Sequence, residues 1–184
     1  MEICLAIELS TENKKLIEKE TKELFDKHKE YLWFDPLEYR IPVFTWTNVE
    51  DDLLEKLKSK IDESLFEAEP FELFALEYVV KIGSRIDIFL KFQREAKFTR
   101  TIRTLSDNFY GLGTPASEDF PMIPIARYKI PAKQQYSHLK NELEKIKTEV
   151  NIMVSKLALV KVTNFGQGAK EGSVLSEVEL LNKN

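Results

Sequence analysis

Two arginines occupy ends of two similar stretches. Arg40 opens RIPVFTW at 40–46, and Arg127 closes MIPIAR at 122–127; the shared core is Ile41-Pro42-Val43 in one and Ile123-Pro124-Ile125 in the other. A guanidinium is a planar, permanently charged fork, so it binds anions well and exchanges protons poorly. Proton exchange near neutral pH is suited to imidazole. The chain has two histidines, His28 and His138, and neither lies in these stretches. His28 falls on the margin of an apolar helix seam through Leu24 and Phe25. His138 precedes Leu139 and faces away from the stripe of Tyr136, Leu139, Leu143 and Ile146. Nothing in the sequence aims the two rings at a common point, so both are read as structural.

The paired Ile-Pro cores, each followed by an amphipathic helical pattern, imply a chain of two related halves with a cleft between them. Ile3, Leu5, Ile7 and Leu9 alternate as in a strand, and Ser10 or Thr11 can cap a helix through Leu16, Ile17, Leu24 and Phe25. The segment 33–46 is extended, with Pro42 at an edge, a bulge or a cleft-facing position. Thr47-x-x-Glu50 reads as a capping box for a helix carrying Val49, Leu53, Leu57, Ile61 and Leu65. A hairpin follows, 71–80 and 85–92, turning at Ile82-Gly83-Ser84. A third helix carries Phe98, Ile102, Leu105 and Phe109; a fourth runs from Tyr136 through Ile146 and Val150. Two final strands, about 152–163 and 173–181, flank the turn NFGQGAKEG. The order β-α-β-α-ββ-α-β-α-ββ predicts an α+β fold, two pseudo-symmetric lobes of antiparallel sheet with outer helices around a central groove. No flexible linker interrupts it, so residues 1–184 are expected to form a single bilobal domain.

Composition narrows the function. The net charge of −4 means that any anion site must come from local clustering. The lone Cys4 excludes an intramolecular disulfide and a thiolate zinc cluster, and no metal or cofactor is expected. MEICLAIELS is too short and too alternating for a secretory leader, and no run approaches a membrane span. The expectation is a cytoplasmic protein without membrane contact.

With its lead-in, the first stretch, WFDPLEYRIPVFTW, resembles the first motif of the 2H phosphoesterases, the 2′-5′ RNA ligase-like (LigT-like) and RNA cyclic phosphodiesterase proteins. That motif reads roughly W-x-x-P-x-x-x-H-h-T-h. The second, PMIPIAR, is similar to their P-H-h-T-h-x-R. The frame matches at Trp33, Pro36, Ile41, Val43, Pro121, Ile123, Ile125, Ala126 and Arg127. Arg40 and Met122 stand where the family has its two histidines, and Pro42 and Pro124 where it has threonine or serine. The resemblance implies a two-lobed fold whose motif strands line a phosphate-binding groove. The four substitutions describe a degenerate member, without 2H catalysis and with no catalytic residue at those positions.

The groove is therefore expected to hold a nucleotide or RNA phosphate through Arg40 and Arg127, with Tyr39 and Phe120 as aromatic ligand contacts beside Trp33 and Trp46; aromatics beside prolines in strands also read as core residues. Glu38 is the expected internal partner of Arg40, and Glu118 or Asp119 that of Arg127. Two alternatives stand beside this reading: an active cyclic phosphodiesterase or ligase with substituted groups, and a scaffold whose groove accepts a protein partner. Arg94, Lys97, Arg100 and Arg103 read either as an RNA-facing patch or as the solvated face of the third helix.

Overall fold

The structure, a computed structural model, describes residues 1–83, 85–117, 120–128, 133–162 and 174–181, with the side chains of 133–135 excepted. The alternation around Ile3, Leu5 and Ile7 makes β1 (Glu2–Glu8), and Ser10 caps α1 (Thr11–Lys27) by accepting from the Asn13 N–H at 3.2 Å. A short β2 (Leu32–Trp33) precedes β3 (Arg40–Trp46), then come α2 (Leu54–Leu65) and β4 (Phe71–Ile82). The second half repeats the series with β5 (Ile86–Phe92), α3 (Ala96–Asn108), a short β6 (Thr114–Pro115), β7 (Met122–Tyr128) and α4 (Lys133–Leu143). Three strands close the chain, β8 (Asn151–Val154), β9 (Lys156–Val162) and β10 (Val174–Glu179).

Two five-stranded antiparallel sheets result, ordered β10-β9-β1-β3-β6 and β8-β4-β5-β7-β2. They superpose in order: β1 matches β5, β3 matches β7, β9 matches β4, and β6 matches β2. Two strands of each half cross over. β2 and β4, from the first half, complete the sheet of β5 and β7; β6 and β9, from the second, complete that of β1 and β3. The motif strands β3 and β7 lie side by side where the sheets meet.

All four described helices cover one face of the sheets. Ile17, Leu24, Ile61, Leu65, Phe98, Ile102, Leu105, Leu139 and Leu143 share a single core with Ile3, Leu5, Ile7, Ile41, Ile86, Ile88, Leu90 and Ile123. Each such side chain contributes about 1.5–3 kcal/mol of transfer free energy. The other face of each sheet carries no helix. Among the described residues, no helix is long and apolar enough to cross a membrane.

Four elements differ from expectation. The segment 33–46 is not extended throughout: a 3-10 turn over Pro36–Glu38, capped by the Asp35 side chain, separates β2 from β3. Thr47 does not cap a helix: Met1 and Val49 exchange backbone hydrogen bonds at 2.6 and 2.9 Å, Asn48 takes a φ of 57°, and α2 begins at Leu54 after a 3-10 turn over Asp51–Leu53. Tethering to the start of β1 prevents the earlier helix start. The fourth helix ends at Leu143, although Ile146 and Val150 still reach the core from the segment beyond it. The expected strand at 152–163 is broken at Ser155 into β8 and β9, which belong to different sheets. The turn NFGQGAKEG lies outside the described residues.

Candidate functional site

Both motif strands are bulged at the same place. Along β1, Leu5 pairs with Phe44 and Ala6 with Pro42, so Val43 is the extra residue; along β5, Ile88 pairs with Ala126 and Phe89 with Pro124, so Ile125 is extra. The bulge carbonyls are satisfied from the crossed-over segments: Ala116 N–H donates to Val43 O and Phe34 N–H to Ile125 O, each at 3.0 Å. A proline beside each bulge is tolerated because the ladder is already interrupted there.

The bulge decides which way the arginines point. Simple alternation sets Arg127 opposite Met122 and Pro124, but the extra Ile125 returns it to their face. Arg40, Pro42 and Thr45 share the helix-free face of one sheet; Met122, Pro124 and Arg127 share that of the other. The registers also superpose Glu8, Ala6 and Cys4 of β1 on Lys91, Phe89 and Asp87 of β5.

Each arginine is held by a neighbouring-strand carboxylate. Arg40 Nε donates to Glu8, its cross-strand partner, and Lys14 Nζ lies 3.9 Å from the same carboxylate. Burial, rather than the carboxylate, dominates at Lys14 and lowers its pKa. Arg127 Nε donates to Asp87 at 2.6 Å while its guanidinium lies over the Phe34 ring, and Arg85 Nε donates to the other oxygen of Asp87 at 3.1 Å. Sequence reasoning named Glu38 for Arg40 and missed Glu8. It named Glu118 or Asp119 for Arg127, both outside the described residues, and missed Asp87, which lies 40 positions upstream. Cross-strand register links these residues, and a linear sequence does not display it.

Opposite Met122, where Glu8 would stand by symmetry, lies Lys91. Its ammonium is 4.5 Å from the Phe120 ring centroid and 3.2 Å from Glu77. Lys91, Phe120, Met122, Ser117, Val79 and Lys81 line an open pocket of about 450 Å³. Ser117 Oγ donates to Phe120 O at 2.6 Å, fixing the approach to β7.

This backbone has solved counterparts. TT0787 of Thermus thermophilus matches at 17% identity with a TM-score of 0.74, covering 100% of both chains. E. coli LigT crystallised with 3′-AMP matches at 13% identity and 0.72 over 98% of each chain; Kluyveromyces marxianus Usb1 matches at 10% and 0.58 over 97% of this chain and 98% of that one. The chain has the LigT-like, 2H phosphoesterase fold. No family model matches the sequence, and no curated protein does.

Within the LigT-like fold, the expected ligand contacts divide. Arg40, Arg127 and Phe120 stand on the helix-free side. Tyr39 does not: it is buried in the core, against a cleft beside α1 that Phe25, Trp33 and Phe34 also line, and burial raises its phenol pKa. A base cannot stack on it there. Trp46 is likewise buried, packed edge-on to Phe109 at 5.1 Å, and Trp33 meets Phe25 edge-on at 5.5 Å. The two histidines do meet, contrary to expectation, but away from the motif positions. His28 Nε2 is 2.5 Å and His138 Nε2 3.6 Å from the carboxylate of Glu142. Among the described residues, Arg100 of the third helix lines an outer cleft between α2 and α3 together with Lys60 and Lys97.

Proposed function

We propose that the groove binds a phosphate-bearing nucleotide or RNA end and does not catalyse 2H phosphoester chemistry. The observation carrying this reading is what stands at the two histidine positions. Arg40, clamped by Glu8, occupies one, and Met122, flanked by Lys91, occupies the other. A guanidinium and a thioether cannot exchange the two protons that the reaction passes between general acid and base. Glu8 is engaged by two cations, Arg40 and Lys14.

Binding needs only what remains. Arg40 is preorganised by a carboxylate, Lys91 adds a charge beside the pocket, and Phe120 supplies a ring at its edge; Arg127, held by Asp87, stands farther along the same face. E. coli LigT has been crystallised with 3′-AMP and with phosphate on the same backbone, which supports a ligand of that chemistry here. The protein is proposed to be cytoplasmic. Titrating 3′-AMP into wild type and Arg40→Ala at low and moderate salt tests the binding. The expected result is weak, salt-sensitive binding that Arg40→Ala reduces; absence of binding by wild type refutes the reading and leaves a protein-binding scaffold as the alternative.

A further inference from the structure

Charge on the helix-free face of the β5–β7 sheet is unevenly matched. Asp87 accepts from both Arg85 and Arg127, and it is also the cross-strand partner of Lys81. Lys81 itself lies over the Phe89 ring, 5.5 Å from its centroid. Two guanidinia thus share one carboxylate, and Lys81, across from it on β4, also lines the pocket beside Met122. Gathering like charges costs free energy unless an opposite charge offsets it, and guanidinia aligned by a shared acid are preorganised for an anion. The symmetry-related position in the other sheet is Cys4, a buried thiol, so the cluster is not a by-product of the duplicated fold.

The cluster is separate from the motif centre. From Met122 to Arg127 the ladder takes four steps along β7, the bulge residue Ile125 left aside, roughly 13 Å at strand spacing. One phosphate group cannot engage both places. Resting on the groove reading above, we infer that Arg85 and Arg127 form a second phosphate site, with Lys81 between it and the motif pocket, so that the groove takes a short single strand with several phosphates in preference to a mononucleotide. Phe89, the cross-strand partner of Pro124, lies between the two sites with Lys81 over its ring.

Tetra-adenylate and 3′-AMP are the probes, titrated against wild type, Arg85→Gln, Arg85→Lys and Lys81→Gln over a salt series. Arg85 is half exposed, and thermal melts confirm that each variant folds. Wild type is expected to bind tetra-adenylate more tightly than 3′-AMP, with a steeper salt dependence by about 0.7 in logarithmic slope per added phosphate contact. Arg85→Gln should weaken tetra-adenylate about tenfold, as for loss of a charged hydrogen bond, and leave 3′-AMP unchanged. Arg85→Lys should retain most of the affinity, and Lys81→Gln should weaken tetra-adenylate. Tetra-adenylate binding equal to wild type in both glutamine variants, equal weakening of both probes by Arg85→Gln, or equal affinity of wild type for the two probes overturns the second site while leaving the groove reading standing. No binding of either probe by wild type removes both.

Discussion

His28 and His138 come from opposite halves of the chain and converge on Glu142, their ring centroids 6.5 Å apart. Lys27 reaches the same carboxylate at 3.5 Å, and Glu30 faces His28 Nδ1 at 3.3 Å. The cluster clasps the C-terminal ends of α1 and α4.

At Glu142, burial opposes ionisation, but the His28 hydrogen bond and the charges of His28, His138 and Lys27 outweigh it and hold the carboxyl below its usual range. A carboxyl with a folded pKa below its unfolded one stabilises the fold above the unfolded value, and this is lost as pH falls through the folded value. Glu142→Gln should therefore lower the thermal midpoint by about 2–4 °C at pH 7. The gap between variant and wild type should shrink as pH drops below the ordinary carboxylate range. Melting curves from pH 3 to 7 check this; a gap independent of pH would show that the clasp is not electrostatic.

Purified protein is expected to leave a 2′,3′-cyclic phosphate intact. Arg40→His with Met122→His should not bring full activity, because Pro42 and Pro124 still lack the hydroxyls that would donate to phosphate oxygens. Turnover by wild type that disappears on mutating Glu8 or Lys91 would show that an off-motif pair does the proton transfer.

Removing the acid beside Arg40 should strengthen binding. Glu8→Gln leaves Arg40 and Lys14 without their shared carboxylate. Affinity for 3′-AMP should rise several-fold at low salt while the thermal midpoint falls. Unchanged affinity would mean that Arg40 does not meet the ligand.

Gly113 is packed where no side chain fits. A Cβ there would lie 2.5 Å from Phe44 Cε1, 2.7 Å from Thr45 O and 2.8 Å from Trp46 Cδ1. Gly113→Ala should cost about 1–3 kcal/mol, because a strand carbonyl cannot yield as a flexible side chain can. Chemical denaturation measures it, and a wild-type midpoint would refute the close packing.

Periodicity made most of the fold legible. The alternation of Ile3, Leu5 and Ile7 and the spacing of Phe98, Ile102 and Leu105 are set by which face is buried, and burial writes itself into residue type. The Ile-Pro cores marked both motif strands for the same reason. What was hidden depends on register between distant segments. Glu8 beside Arg40, Asp87 beside Arg127 and Lys91 beside Met122 follow from pairing and from bulges at Val43 and Ile125, which a chain read along its length does not contain. Tyr39 misled because an aromatic beside a motif strand looks the same whether it turns toward a ligand or into the core. The meeting of His28 with His138 needed the packing of α1 and α4, and neither helix encodes it alone.

The crossing of β2 and β4 into one sheet, and of β6 and β9 into the other, bears on how the molecule assembles. A polypeptide of half this length would leave β1 and β3 without their outer neighbours and would carry two strands with nothing to pair against. Two such polypeptides would complete one another as a twofold dimer, each unable to fold unaided. Covalent continuity through the β4–β5 hairpin replaces that encounter with an intramolecular one, at an effective concentration on the order of millimolar. Stability is thereby freed from dilution, and the two faces of the groove are held in register even where the protein is scarce.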